Sequence, residues 1–175
     1  MDVSTRNGID SSNAWYKDFV SKLISLDIIG GYSDGTFKPN KTVSRAEFAK
    51  MICIAIGWTL ENPTKSSFKD VSKASWAWKY IETAKMHSII NGYNDGTFKP
   101  DSSITRAEIA AIIAKAKKLA KGSSKLKDIN NCWARDYINS CVEVGVIGGY
   151  PNNIFKPNNT ATRAEAAKMI AAIVE

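Results

Sequence analysis

The chain has 175 residues and a mass of 19.2 kDa, room for one medium domain or two small ones. An apolar share of 44% excludes disorder, no apolar run is long enough for a transmembrane helix, and Met1-Asp2-Val3-Ser4 has neither the basic segment nor the apolar core of a signal peptide. The net charge of +7 is uneven: residues 1–62 balance to zero, 63–122 carry +6 and 123–175 carry +1, so a uniformly basic nucleic-acid binder is not indicated. A chain framed this tightly around folded-looking sequence reads as a piece of a longer protein.

The elements recur three times in chain order. Trp15, Trp76 and Trp133 are separated by 61 and 57 residues, as are Tyr32, Tyr93 and Tyr150, and Arg45, Arg106 and Arg163. Insertions therefore fall between copies, and the chain divides into repeats at 1–62, 63–122 and 123–175. After each Trp, apolar residues follow at helical spacing: Phe19/Tyr80/Tyr137, Val20/Ile81/Ile138, Leu23/Ala84/Cys141 and Ile28/Ile89/Val146. Gly31, Gly92 and Gly149 are expected to stop this first helix. A loop follows, Gly-Tyr-Ser-Asp-Gly-Thr-Phe-Lys-Pro in the first copy, with turn signals at Asp-Gly and Lys-Pro.

A second helix begins at Ser44, Thr105 and Thr162, each three residues ahead of Glu47, Glu108 or Glu165, which is a capping box in every copy. Its inner stripe is small: Ala46/Ala107/Ala164, Ala49/Ala110/Ala167 and Cys53/Ala114/Ala171. Small residues let helix axes approach closely, so the three second helices are expected to meet around a pseudo-threefold axis. Cys53 and Cys141 sit at core positions and read as buried thiols; three sparse cysteines make no disulfide framework, and one histidine makes no typical zinc site. His87 aligns with Leu26 and Val144 and is expected to be packed or half-buried.

The arginine after each cap is misplaced, because a helix N-terminus is positive and favours acids. Three in one place call for a compensating anion. It is either internal, from Glu47 and its equivalents or Asp34 and Asp95, or external, a carboxylate or phosphate held by the arginine and the helix end together. Trp15, Tyr32, Phe37 and their copies suit either core packing or stacking on a sugar face.

The Gly-Tyr-x-Asp-Gly-Thr-Phe-Lys-Pro loop followed by Ser44-Arg45-Ala46-Glu47, Thr105-Arg106-Ala107-Glu108 and Thr162-Arg163-Ala164-Glu165 resembles the S-layer homology module, over about residues 8 to 175. The resemblance implies an all-α fold, mainly helical with loops: a three-pronged spindle around a central three-helix bundle. It implies a non-catalytic anchor on the outside of a bacterial cell, fused to a larger surface protein, without cofactor, metal, nucleic acid or membrane insertion, and monomeric as a module. Its implied partner is a secondary cell-wall polymer ending in pyruvylated N-acetylmannosamine, held in grooves between prongs.

Carried over by motif, the ligand-binding set is Arg45, Arg106 and Arg163, with Asp34, Gly35, Asp95, Gly96 and Asn152 from the loops and Trp15, Trp76 and Trp133. The third copy departs at Pro151-Asn152-Asn153-Ile154, where no acid stands to orient Arg163, so the groove using this loop is expected to bind weakly or differently. The first copy departs at Gly8-Ile9-Asp10, which keeps the acid of Phe68-Lys69-Asp70 and Leu126-Lys127-Asp128 but not the large apolar residue, so its prong entry is expected to be looser. The rival to polymer binding is a protein–protein scaffold using the same grooves. An EF-hand is ruled out, because the twelfth loop position is Ser102 rather than Glu.

Overall fold

A computed structural model describes residues 14–174. Each described repeat contributes two helices: α1 (Lys17–Ser25) and α2 (Arg45–Ile56), α3 (Trp78–Met86) and α4 (Arg106–Ala116), α5 (Arg135–Glu143) and α6 (Arg163–Ala171). Among the described residues there is no β-strand, only isolated bridges, and the protein is all-α with loops. No helix of the described residues is long and apolar enough to cross a membrane.

The second helices start where the sequence says. Ser44, Thr105 and Thr162 each accept the amide of the Glu three residues on, and each Glu accepts the cap residue's amide in return. Each box contributes about 1 kcal/mol. The first helices have no side-chain cap, and at nine residues they depend on packing. They also end earlier than the glycines suggest. The left-handed residue after each is Asp27, Ser88 or Gly145, four residues ahead of Gly31, Gly92 and Gly149. Gly92 and Gly149 serve close approach instead: a Cβ on Gly92 would lie 2.3 Å from the Phe68 ring and 2.5 Å from the Thr97 carbonyl oxygen, and one on Gly149 would lie 2.8 Å from the Ile154 carbonyl oxygen.

The small stripe is buried along its length, together with Ile52, Ile113 and Ile170. At the N-terminal end of these helices the three repeats close a ring. Val43 donates to the Ala161 carbonyl, Ala161 to Ile104, and Ile104 back to Val43, each at 3.1 Å, between fully buried residues. This ring marks the pseudo-threefold axis. Away from the axis the packing crosses repeat boundaries: α2 packs on α3, α4 on α5, and α6 returns to α1. Each prong therefore pairs the second helix of one repeat with the first helix of the next.

Asp70 and Asp128 show what the acid ahead of the Trp does. Their carboxylates accept the amides of Phe98 and Lys99, and of Phe155 and Lys156, at 2.7–2.8 Å, tying the repeat's entry to its own loop. The first copy's Gly8-Ile9-Asp10 lies outside the described residues. Cys53 and Cys141 are fully buried, and burial pushes both thiols up to about 12. His87 is packed on one side only: it lies flat on Trp58, ring centroids 3.8 Å apart and 5° from parallel, and is otherwise exposed rather than half-buried.

Candidate functional site

Each misplaced arginine points into the loop of the next repeat. Arg45 donates from Nε to the Phe98 carbonyl, from Nη2 to that of Asn91, and pairs through Nη1 with Glu108 at 2.5 Å. Arg106 does the same with Phe155, Gly148 and Glu165, and Arg163 with Phe37, Gly30 and Glu47. The guanidinium carbons also lie 4.6–4.9 Å from the ring centroids of Tyr93 and Phe98, Tyr150 and Phe155, and Tyr32 and Phe37. The compensating carboxylate is thus internal: the capping-box Glu of the following repeat. Arg45 and Arg106 are only 4% exposed.

The helix ends are occupied too. The first two amides of each second helix donate to loop carbonyls of the next repeat, Arg45 to Ser102 and Ala46 to Pro100, with the same pair in the other two copies. The third amide goes to the cap hydroxyl. No helix-end amide is left over for an external anion.

The loop acids do not touch the arginines. Asp34 accepts the Thr36 amide and hydroxyl and pairs with Lys38 at 2.7 Å; that lysine and the Thr36 donors hold its carboxyl well below the usual carboxylate range. Asp95 takes the Thr97 donors in the same way, and its carboxyl is lowered by them. Gly35 and Gly96 supply the left-handed turn at φ near 80°. In the third loop Asn152 and Asn153 both take left-handed φ, at 67° and 60°. This loop receives Arg106, not Arg163, because each arginine reaches forward by one repeat. The missing acid of the third loop therefore has no bearing on Arg163.

Three grooves result, equivalent by the pseudo-threefold axis. The Arg163 groove, about 280 Å³, is walled by Tyr32 and Glu47 of the first repeat and Trp76 of the second. The Arg45 groove, about 200 Å³, has Tyr93 and Glu108 with Trp133, and the Arg106 groove, about 260 Å³, has Tyr150 and Glu165 with Trp15. Every groove draws on all three repeats. The aromatic set divides accordingly. Phe37, Phe98 and Phe155 are core, whereas Trp15, Trp76 and Trp133 are 57%, 60% and 64% exposed at the groove edges.

Reading the motif misses one group in each groove. Each Arg–Glu pair is internally neutral, and the remaining charge comes from Lys50, Lys168 and Lys115. Lys50 and Lys168 stand five residues after the arginine and precede Met51 and Met169, a repeated pair that could have found them. In the second copy that position is Ala111, and Lys115 enters one turn later. A second unforeseen feature is the lysine of each Phe-Lys-Pro. Lys38, Lys99 and Lys156 are left-handed at φ 53–58°, and their ammonium groups lie 4.2–4.8 Å from the Tyr ring centroids.

The sequence profile of the S-layer homology domain matches residues 9–49, 67–110 and 125–167. An amylopullulanase of Thermoanaerobacterium thermosulfurigenes is 36% identical over 177 residues, covering 95% of this chain and 9% of that protein. A cellulosome-anchoring protein of Acetivibrio thermocellus is 38% identical over 150 residues, 80% of this chain and 34% of that protein. The S-layer protein sap of Bacillus anthracis is 30% identical over 163 residues, 90% of this chain and 20% of that protein. The chain thus spans a minor part of each of these relatives.

Proposed function

The chain belongs to the S-layer homology domain family, and from that premise we propose that its three grooves bind an anionic saccharide of the bacterial cell wall. The module is a surface-anchoring part found in S-layer and anchoring proteins. The observation that carries the finer reading is the repeated groove: an exposed indole, a tyrosine and one lysine beyond the neutral Arg–Glu pair, three times over. Flat apolar faces with polar tips suit a pyranose ring, and the lysine suits a carboxylate such as the ketal acid of pyruvylated N-acetylmannosamine.

Each arginine makes three of its five N–H donations internally, so its part is to shape the wall. The capping-box carboxylates are engaged on both oxygens in each copy, which suits structure and binding rather than acid–base catalysis. We take the module to act as a monomer whose three sites reinforce one another through effective concentration, by about 10²–10⁴ over one site where the geometry allows.

The test is co-sedimentation with Gram-positive wall sacculi before and after acid stripping of the secondary polymer. It is run with wild type and with a Lys50→Ala/Lys115→Ala/Lys168→Ala variant, whose folding is checked by its unfolding temperature. Binding lost on stripping, and lost in the folded variant, is the expected result. Binding that survives both favours a protein or peptidoglycan receptor in the same grooves.

A further inference from the structure

Trp133 borders two depressions. One is the Arg45 groove; the other, about 420 Å³, is lined by Asn130, Asn131 and Asn158, with Lys127 and Asp128, and Trp133 is the only residue common to both linings. At 64% exposed it is also the most open of the three groove tryptophans.

The two sides differ in charge. The groove carries Lys115 beyond its neutral ion pair. In the second depression Lys127 and Asp128 offset one another, and both Asp128 oxygens already hold loop amides. What remains is three carboxamides beside an indole, with Pro157 and the Cys132 thiol completing the wall. A carboxamide donates and accepts at once, which matches a sugar hydroxyl or an acetamido group and gives no preference for an ion.

We propose that this depression is a subsite for an uncharged, N-acetylated sugar residue, adjoining across Trp133 the residue held in the Arg45 groove. The proposal rests on the grooves being saccharide sites. The subsite does not recur in the second repeat, whereas the first repeat keeps Asn13 and Asn40 where the third has Asn131 and Asn158. In the second repeat Asp101 replaces Asn158, and Lys73 stands ahead of Trp76 with its ammonium 5.2 Å from the Trp78 ring centroid. A polymer end lying across Trp133 would thus engage two consecutive residues, one anionic and one neutral.

The experiment follows the assigned indole N–H signals of the whole chain during titration with two probes. One is an N-acetylglucosamine trimer, the neutral probe; the other is a methyl glycoside of 4,6-pyruvylated N-acetylmannosamine. The neutral probe should shift Trp133 saturably and leave Trp76 in place. Asn131→Ala with Asn158→Ala, both exposed positions, should weaken that shift by about tenfold, the loss of one or two hydrogen bonds. The anionic probe should still move Trp15 and Trp76 in that variant. An unmoved Trp133, or equal affinity of the variant for the neutral probe, overturns the subsite. Failure of the anionic probe to move any groove indole overturns instead the reading of the grooves.

Discussion

Arg45 and Lys50 are five residues apart on α2, yet their substitutions separate folding from binding. Arg45→Ala leaves Glu108 and the carbonyls of Phe98 and Asn91 without their donor in a buried setting. The expected cost is about 3 kcal/mol, read as a lowered denaturant midpoint, and any lost wall attachment follows from it. Lys50→Ala removes no hydrogen bond that this side chain donates among the described residues, and it should weaken attachment with its midpoint unchanged. The reverse pattern would return the arginine to direct ligand contact. Glu165 gives the residue scale its pH dependence. Burial works against its ionised form, but the Thr162 amide, the Tyr150 hydroxyl and the Arg106 charge outweigh it and hold the carboxyl below its ordinary 4.5. A depressed folded value adds stability above the unfolded value, and that stability is lost as pH falls. Melting temperatures of wild type and Glu165→Gln should therefore differ at neutral pH and converge in acid. Parallel curves would contradict the assignment.

Between elements, the loop glycines do different work from what their position after a helix suggests. Gly92 faces the Phe68 ring and the Thr97 carbonyl at distances no Cβ tolerates, whereas a Cβ on Gly30 would meet nothing within 4 Å. Gly92→Ala should cost about 1–3 kcal/mol as overpacking, and Gly30→Ala should be near neutral by the same unfolding measurement. Equal effects would mean that backbone freedom rather than close approach is what these positions require. The contrast also marks how far the sequence is legible. Capping boxes, the alanine stripe and the buried cysteines can be read because each is a local pattern with a local cause. The forward reach of Arg45 to Glu108 cannot, since identical repeats offer identical partners at home and next door, and only packing chooses between them. Lys115 escapes for a related reason: Ala111 breaks the repeat, and the compensating charge one turn later is visible only on a folded helix.

For the whole molecule the decisive fact is that the ring closes. Helix α6 packs on α1, Arg163 reaches back to Phe37, Gly30 and Glu47, and the Val43–Ala161–Ile104 bonds need all three repeats. A fragment ending at residue 122 keeps two intact copies of the motif, yet α4 loses α5 and α1 loses α6. Arg106 loses Glu165, the Arg45 groove loses Trp133, the Arg163 groove loses its arginine, and the Arg106 groove loses its loop. No groove survives with its walls complete. The fragment should therefore unfold without a sharp cooperative transition and sediment with no wall material, rather than retain a share in proportion to its copies. Adding residues 123–175 as a separate chain should restore both properties, because the missing contacts are noncovalent. A fragment that melts cooperatively alone and still attaches would show that the repeats are independent units, and the grooves would then have to be rebuilt from residues within single copies.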